Sequence, residues 1–126
     1  MINRDGNIKR LTYLTTNRIA EEQSYTWSPD QKKIAFWLKT EYADPQWDLA
    51  VLNIETGEIT DYCLGGGDGS FDIFWSPSGD QLITTYIMPN NALTNETRIL
   101  LINMQNNSAK LLLSKQIVLG WMTNNN

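Results

Sequence analysis

The residues that could perform chemistry are few, and their types exclude several classes of active site. The chain contains no histidine and a single cysteine, Cys63. Without histidine there is no Ser-His-Asp or Cys-His centre and no imidazole ligand for a metal ion. One cysteine also excludes an internal disulfide and a thiolate cluster. Cys63 lies in the segment ITDYCLG, and we interpret it as a small hydrophobic residue in a strand.

The Gly-rich segment LGGGDGSF, residues 64–71, has the composition of a ligand-binding loop. It lacks the Lys-Ser/Thr ending of a phosphate loop and the second glycine of a Gly-x-Ser-x-Gly elbow. Asp68, Ser70 and Asp72 alternate as at the start of a calcium loop, but the glycine and the closing glutamate of an EF-hand are missing. We predict a connection between two strands, with no catalytic residue, no metal ion and no cofactor.

Charge is distributed unevenly along the chain. Residues 1–40 carry seven basic and four acidic residues, residues 41–96 carry ten acidic residues and no basic one, and residues 97–126 carry three basic residues and no acidic one. Nucleic-acid binding needs a basic surface, so the acidic centre argues against it. Basic ends could favour contacts with the acidic middle, within one chain or between chains; the alternative is solvated loops that share a sign.

Length and hydrophobicity place the chain among globular proteins. It has 126 residues, of which 41% are hydrophobic, and this suits a single domain with a modest core. No apolar run approaches the ~18 residues that suggest a membrane span, and no secretory signal is recognisable at the start of the chain. We predict no membrane insertion, and these features leave the compartment open.

The elements that would position any site form a repeat. Trp27 in TWSPD and Trp75 in FWSPS are 48 residues apart, and Trp121 follows 46 residues later. Turn dipeptides recur with nearly the same period, at Asp5-Gly6, Thr56-Gly57 and Asn106-Asn107. Two independent markers with one period of roughly 50 residues indicate a repeat architecture.

Each period predicts four short strands separated by turns. The first period reads QSYTW, KIAFWLKT, WDLAVLNIE and EITDYCL, and the second reads FDIFW, QLITTYIM, TRILLINM and AKLLLSK. Ser-Pro-Asp between the first two strands suits a tight turn, because proline fixes φ and Ser or Asp can bond nearby backbone amides. The central strands are apolar on both faces, so both faces of each sheet must be covered. No helical pattern could supply that cover, and stacked four-stranded sheets are the blades of a β-propeller.

The segments TWSPDQKKIAFW and FWSPSGDQLITT resemble the Trp-Ser-Pro-Asp-Gly signature of TolB-like β-propeller repeats. WDLAVLNIETGEIT is similar to the third strand and glycine turn of that family, and IKRLTYLT to its fourth strand. The chain departs from the pattern at two turn positions. Gln31 stands where the family has glycine, and Ser78 stands where it has aspartate, although Gly79 is kept.

The resemblance implies an all-β, partial propeller of two four-stranded antiparallel blades with one extra strand at each end. We predict the trailing strand of a preceding blade in residues 1–21, blade 1 in residues 22–66, blade 2 in residues 67–116, and the first strand of a further blade with a tail in residues 117–126. Two blades would leave an apolar sheet face uncovered at each end, more than a soluble monomer tolerates. We therefore expect a homo-oligomer or a piece of a larger chain.

For function, the resemblance implies a non-catalytic scaffold that binds protein, completed by copies of itself or by other propeller blades. It permits a periplasmic location. An alternative is part of the N-terminal gating propeller of a prolyl-oligopeptidase-type serine peptidase, whose catalytic residues would lie outside this chain.

The five tryptophans divide into two groups. Trp27, Trp75 and Trp121 occupy equivalent positions of the repeat and are predicted to pack blade against blade. Trp37 and Trp47 are not repeated and border one loop, so they are the candidates for a binding surface.

Overall fold

The computed structural model describes residues 18–40, 47–62, 72–87, 97–114 and 120–122. The described residues contain eight strands, which form two antiparallel four-stranded sheets. Sheet 1 consists of β1 (Arg18–Trp27), β2 (Lys33–Thr40), β3 (Trp47–Asn53) and β4 (Ile59–Tyr62). Sheet 2 consists of β5 (Ile73–Trp75), β6 (Gln81–Ile87), β7 (Thr97–Asn103) and β8 (Ser108–Ser114).

In both sheets each strand pairs with the next one along the chain, so both are simple meanders. All eight predicted strands of the two periods are found, with shifted ends. β1 is longer than predicted, because it begins at Arg18 and pairs with β2 from there, with an irregularity between Ala20 and Tyr25. The predicted boundary between residues 21 and 22 is therefore wrong, since it falls inside a strand of sheet 1.

The structure bears differently on the extra strands predicted at the two ends of the chain. The fourth strand expected near residues 7–15 lies outside the described residues, as do Cys63, Asp68 and Ser70. Of the strand expected over residues 117–123, the described residues 120–122 are not in a strand. A strand requires a hydrogen-bonded neighbour, and these three residues pair with none of the described strands.

The Ser-Pro turn between β1 and β2 is built around one buried serine. The Ser28 backbone N–H donates to the Lys33 carbonyl at 2.9 Å, and the Gln31 N–H donates to the Ser28 carbonyl at 2.9 Å. The Ser28 hydroxyl accepts from the Lys33 N–H at 2.9 Å and donates to Asp30 Oδ1 at 2.6 Å. Side-chain hydrogen bonds of this kind pair backbone groups that have no strand partner at a turn.

The turn between β5 and β6 has the same backbone bonds. Ser76 N–H donates to the Gln81 carbonyl and Gly79 N–H to the Ser76 carbonyl, both at 2.9 Å. Gln31 and Gly79 occupy the same position and both have left-handed backbone angles, with φ of 59° and 73°. Gln31 therefore adopts the conformation of the glycine that the family has there, at a steric cost.

The core lies mainly between the two sheets. Five buried side chains of sheet 1 pack against five of sheet 2 in one cluster: Ala35, Trp37, Leu49, Val51 and Tyr62 with Ile73, Trp75, Leu82, Leu100 and Ile102. The opposite face of sheet 1 carries a second buried cluster of Phe36, Leu38, Ala50 and Leu52. β2 and β3 are thus buried on both faces, which explains why their sequences are apolar in both phases.

Candidate functional site

Trp37 lies in the core between the two sheets, with an exposed fraction of 0%. Its predicted role at a binding surface is therefore wrong. The pattern of β2 explains the error: Ala35 and Trp37 point to the same face, and that face is covered by sheet 2. An aromatic residue that lacks a counterpart in the next repeat here fills the space between two repeats.

Trp47 is half-buried and packs against the edge of the same cluster. The ammonium group of Lys39 lies 5.2 Å from the centroid of its ring. A cation at this distance is attracted to the face of the ring, so one face of Trp47 already has a partner in the chain. A surface role for Trp47 stays a prediction.

Two of the repeated tryptophans donate hydrogen bonds to the preceding repeat. Trp75 Nε1–H donates to the Thr26 carbonyl in β1 at 3.2 Å, and Trp121 Nε1–H donates to the Phe74 carbonyl in β5 at 3.1 Å. The acceptors are equivalent, because each is the residue before the tryptophan of its own repeat. Trp27 has an exposed fraction of 37% and no such bond to any of the described residues.

These tryptophans also form a groove. Together with the two turn prolines and their neighbours they surround an open space of about 400 Å³, lined by Thr26, Trp27, Pro29, Ile73, Phe74, Trp75, Pro77 and Trp121. The lining is mostly aromatic and aliphatic, with Thr26 as the one residue that carries a hydroxyl. Such a surface can pack against apolar protein side chains, but it offers no acid, base or nucleophile for a reaction.

The outer face of sheet 2, which points away from sheet 1, is partly open to solvent. It consists of Phe74, Ile83, Thr85, Ile99, Leu101, Lys110 and Leu112. Thr85 is buried, Phe74, Ile83, Ile99 and Leu101 are half-buried, and Leu112 has an exposed fraction of 41%. Strand register makes Ile83 and Leu101 the counterparts of Ala35 and Val51 in sheet 1, which sheet 2 covers.

The far face of sheet 1 does not match its expected exposure. Phe36, Leu38, Ala50 and Leu52 are all buried within the single chain, and Ile34, Ile54 and Ile59 pack around them. The expectation of an uncovered apolar face at both ends is therefore wrong at this end, because none of these four side chains has an exposed fraction above 6%. Only the outer face of sheet 2 resembles the surface that was expected.

No group of histidine, cysteine, aspartate or glutamate side chains that could hold a metal ion occurs among the described residues. Asp72, the one described member of the predicted acidic alternation, is exposed, and its carbonyl accepts from the Thr84 hydroxyl at 2.7 Å. In the described part of the chain, no helix is long and apolar enough to cross a membrane.

A small pocket at the junction of the sheets was not anticipated from the sequence. It brings together Lys33, Glu58 and Tyr62 of sheet 1 with Met104 and Asn107 of the turn between β7 and β8. These residues are far apart in the sequence and belong to different sheets. Only the stacking of the two sheets makes them neighbours.

Neither the protein-family models nor the curated protein sequences contain a match to this chain. Solved structures do resemble it. TolB from Acinetobacter baumannii is 22% identical over 90% of this chain and 25% of its own, with a TM-score of 0.60. Oligogalacturonate lyase from Vibrio parahaemolyticus is 16% identical over 90% of this chain and 28% of its own, with a TM-score of 0.61. The β-propeller domain of the Trilobed protease from Pyrococcus furiosus is 12% identical over 86% of this chain and 32% of its own, with a TM-score of 0.56.

At these identities the likeness concerns the fold alone. The chain spans 25% to 32% of the length of these three structures, as two blades of a larger propeller would. Its two stacked meander sheets and the Trp75 hydrogen bond between them have the arrangement of consecutive blades. The chain therefore has a TolB-like β-propeller type of fold, all-β and consisting of two blades of a partial propeller.

Proposed function

We propose that this chain is a non-catalytic propeller fragment that acts as a protein-binding or assembly scaffold, with the outer face of sheet 2 as the surface that receives further propeller strands. Those strands come from a second copy of the chain or from a larger parent protein. The observation that carries the proposal is the difference between two equivalent surfaces. The face of sheet 1 that holds Trp37 and Leu49 is fully covered by sheet 2, and its counterpart on sheet 2 is partly open.

The outer face has the composition of a surface that is covered in the assembled state. Ile83, Ile99, Leu101 and Leu112 are large and aliphatic, and Lys110 is the charged member of the set. Contiguous apolar surface of this kind is uncommon on proteins that work as monomers. Burying it contributes roughly 25 cal/mol for each Å² of apolar area removed from water.

Trp121 supports the direction of growth. It repeats, on the Phe74 carbonyl, the bond that Trp75 makes to Thr26. The chain thus continues from sheet 2 in the way that sheet 2 continues from sheet 1, so the next strands would extend the same stack. The likeness to a protease propeller adds no argument for the peptidase alternative, because that likeness concerns the fold alone.

The mass of the chain in solution, measured by light scattering at micromolar concentration, tests the proposal. We expect an oligomer, and we expect Leu112→Lys and Leu101→Lys to shift it towards the monomer because each places a charge on the outer face. Thr56→Lys is the control, since Thr56 is exposed in the turn between β3 and β4 of sheet 1 and does not belong to that face.

A wild-type chain that is monomeric, with a melting temperature independent of protein concentration, would contradict self-association. If both outer-face variants keep the mass of the wild-type oligomer, another surface holds the copies together. If the parent protein continues into further blades, a version that includes the next blade should melt at a higher temperature than this chain, and Leu112→Lys should remove that gain.

A further inference from the structure

A pocket of about 120 Å³ lies at the end of the junction between the sheets where the short turns are. It is lined by Lys33, Val51, Asn53, Glu58, Thr60, Tyr62, Met104 and Asn107. Six of these residues belong to sheet 1 and its turns, and Met104 and Asn107 belong to the turn between β7 and β8. The apolar core ends at this point, and polar side chains of the same strand faces continue beyond it.

The walls of the pocket are held across the junction by one tyrosine. The Tyr62 hydroxyl lies 3.3 Å from Asn107 Oδ1 and 3.4 Å from Met104 Sδ, and can donate to either. Burial raises the pKa of Tyr62 above its ordinary value of 10.0, so its hydroxyl is a neutral donor at physiological pH. Asn107 has φ of 51°, a left-handed conformation that asparagine tolerates better than most residues.

Two residues of opposite charge line this pocket, and one of them, Lys33, also helps to lower the pKa of Asp30. Lys33 and Glu58 both line it, and no ion pair joins them. Their neighbours in the sequence behave differently, since Lys32 and Glu55 form an ion pair at 3.1 Å on the exposed surface. A pocket with a cation on one side and an anion on the other is complementary to a small molecule that carries both charges.

We propose that the pocket binds a small α-amino acid as a zwitterion, with its carboxylate towards Lys33 and its ammonium group towards Glu58. The volume corresponds to about four water molecules at ~30 Å³ each, which suits an amino acid as small as glycine or alanine. Val51 and Met104 supply an apolar wall for the alanine methyl group, and the Asn107 amide and the Thr60 hydroxyl add hydrogen-bonding groups. This site is independent of the assembly surface, because it lies inside the junction and not on the outer face of sheet 2.

The test is a titration of the ¹⁵N-labelled chain with glycine and with alanine, followed by NMR. We expect saturable shifts at Lys33, Glu58, Tyr62 and Asn107, with a dissociation constant on the order of 1 mM, as befits a ligand with so few atoms. Acetate, methylammonium and glycinamide each lack one of the two charges, and we expect each to bind at least about tenfold more weakly.

Four variants separate the pocket from general charge effects. Lys33→Met and Glu58→Gln should weaken glycine binding by about tenfold or more, since each removes one charge-assisted contact. Lys32→Met and Glu55→Gln make the same changes in the neighbouring surface pair and should leave binding unchanged.

Several results would overturn the proposal: no saturable shift of the wild-type chain with either amino acid, equal binding of glycine and glycinamide, or equal losses in the pocket variants and their controls. If a pocket variant fails to fold, the comparison of glycine with its singly charged analogues on the wild-type chain decides the matter alone.

Discussion

The two sheets are equivalent repeats, and they achieve the same first turn with different residues. In sheet 1 the carboxylate that supports the turn is Asp30, two residues after Ser28. In sheet 2 a serine stands at that position, and the carboxylate comes from Asp80, two residues further on, which accepts from the hydroxyls of Ser76 and Ser78. The geometry of the turn is therefore set by the buried serine and by one nearby carboxylate, and the position of that carboxylate can vary.

The left-handed positions show a second exchange. In sheet 1, Gln31 lies in the turn between β1 and β2, and Gly57 lies in the turn between β3 and β4. In sheet 2, Gly79 lies in the turn between β5 and β6, and Asn107 lies in the turn between β7 and β8. In each sheet one turn has glycine and the other does not. The backbone bonds of the first turn are the same in both sheets, so the network of hydrogen bonds, rather than the glycine, imposes the conformation.

The junction position differs most. Trp37 in β2 is fully covered by sheet 2, and its equivalent Thr85 lies on the outer face of sheet 2, where it too is buried, with an exposed fraction of 1%. We expect Trp37→Ala to cost about 3–5 kcal/mol of unfolding free energy, because it removes a large buried side chain and leaves a cavity. Thr85→Ala should cost about 1 kcal/mol. Urea unfolding measures both. A loss for Trp37→Ala no larger than the loss for Thr85→Ala would contradict the role of Trp37 as the main side chain of the junction.

The turn serines should be the next most sensitive positions. Ser28→Ala and Ser76→Ala each leave a partly buried backbone N–H, of Lys33 or of Gln81, without its side-chain acceptor. We expect each variant to lose about 1–3 kcal/mol, by similar amounts, because the bonds are the same in both turns. Ser78→Ala is the control, since its hydroxyl is exposed and accepts no backbone N–H in the described turn. A large difference between Ser28→Ala and Ser76→Ala would break the equivalence of the turns.

Exchanging residues at the left-handed positions should have smaller and opposite effects. Gln31→Gly should stabilise the chain by about 0.5–1 kcal/mol. A non-glycine residue in the left-handed conformation costs roughly 1–2 kcal/mol, and glycine avoids this cost but loses more backbone entropy on folding. Gly79→Ala should destabilise it by about 1–2 kcal/mol. A Cβ at Gly79 would lie 3.5 Å from Pro29 Cδ, an ordinary contact, so the loss comes from the backbone angle. Thermal unfolding checks both signs, and a stabilising Gly79→Ala would contradict the account.

The smallest expected effect is on the acid dependence of stability. The Ser28 hydroxyl, followed by the Lys32 backbone N–H, lowers the pKa of Asp30 below its ordinary value of 3.8. The hydroxyls of Ser78 and then Ser76 lower the pKa of Asp80 in the same way. A lowered pKa in the folded state stabilises the fold above pH 3.8, and this contribution is lost as the pH falls towards the folded-state pKa.

We therefore expect Asp30→Asn and Asp80→Asn each to flatten the decline of stability below pH 4, with similar changes in slope. Asp72→Asn is the control, because that carboxylate is exposed and makes none of these turn contacts. Unfolding measured as a function of pH distinguishes the three variants. If the pH dependence of stability changes in only one of the two aspartate variants, Asp80 does not take the role of Asp30.

The sequence by itself determined the number and order of the strands in the two periods and the Ser-Pro turns between them. These features follow from local chemistry: β-forming residues in alternation, proline that fixes φ, and serine that bonds the nearest backbone amides. It also determined which chemistry is impossible, since a chain without histidine cannot build a histidine-dependent site anywhere. The start of β1 was missed, because its pairing with the end of β2 depends on an irregularity that no residue pattern announces.

Only the tertiary structure decided what the side chains of those strands contact. Trp37 had the pattern of a surface aromatic and lies in the core, because burial depends on which face of a strand the next sheet covers. The pocket that joins Lys33 and Glu58 to Asn107 was equally invisible, since its residues are separated by up to 74 positions in the chain. Alternation tells which residues share a face, but the stacking of whole sheets determines whether that face becomes a core, a pocket or an open surface.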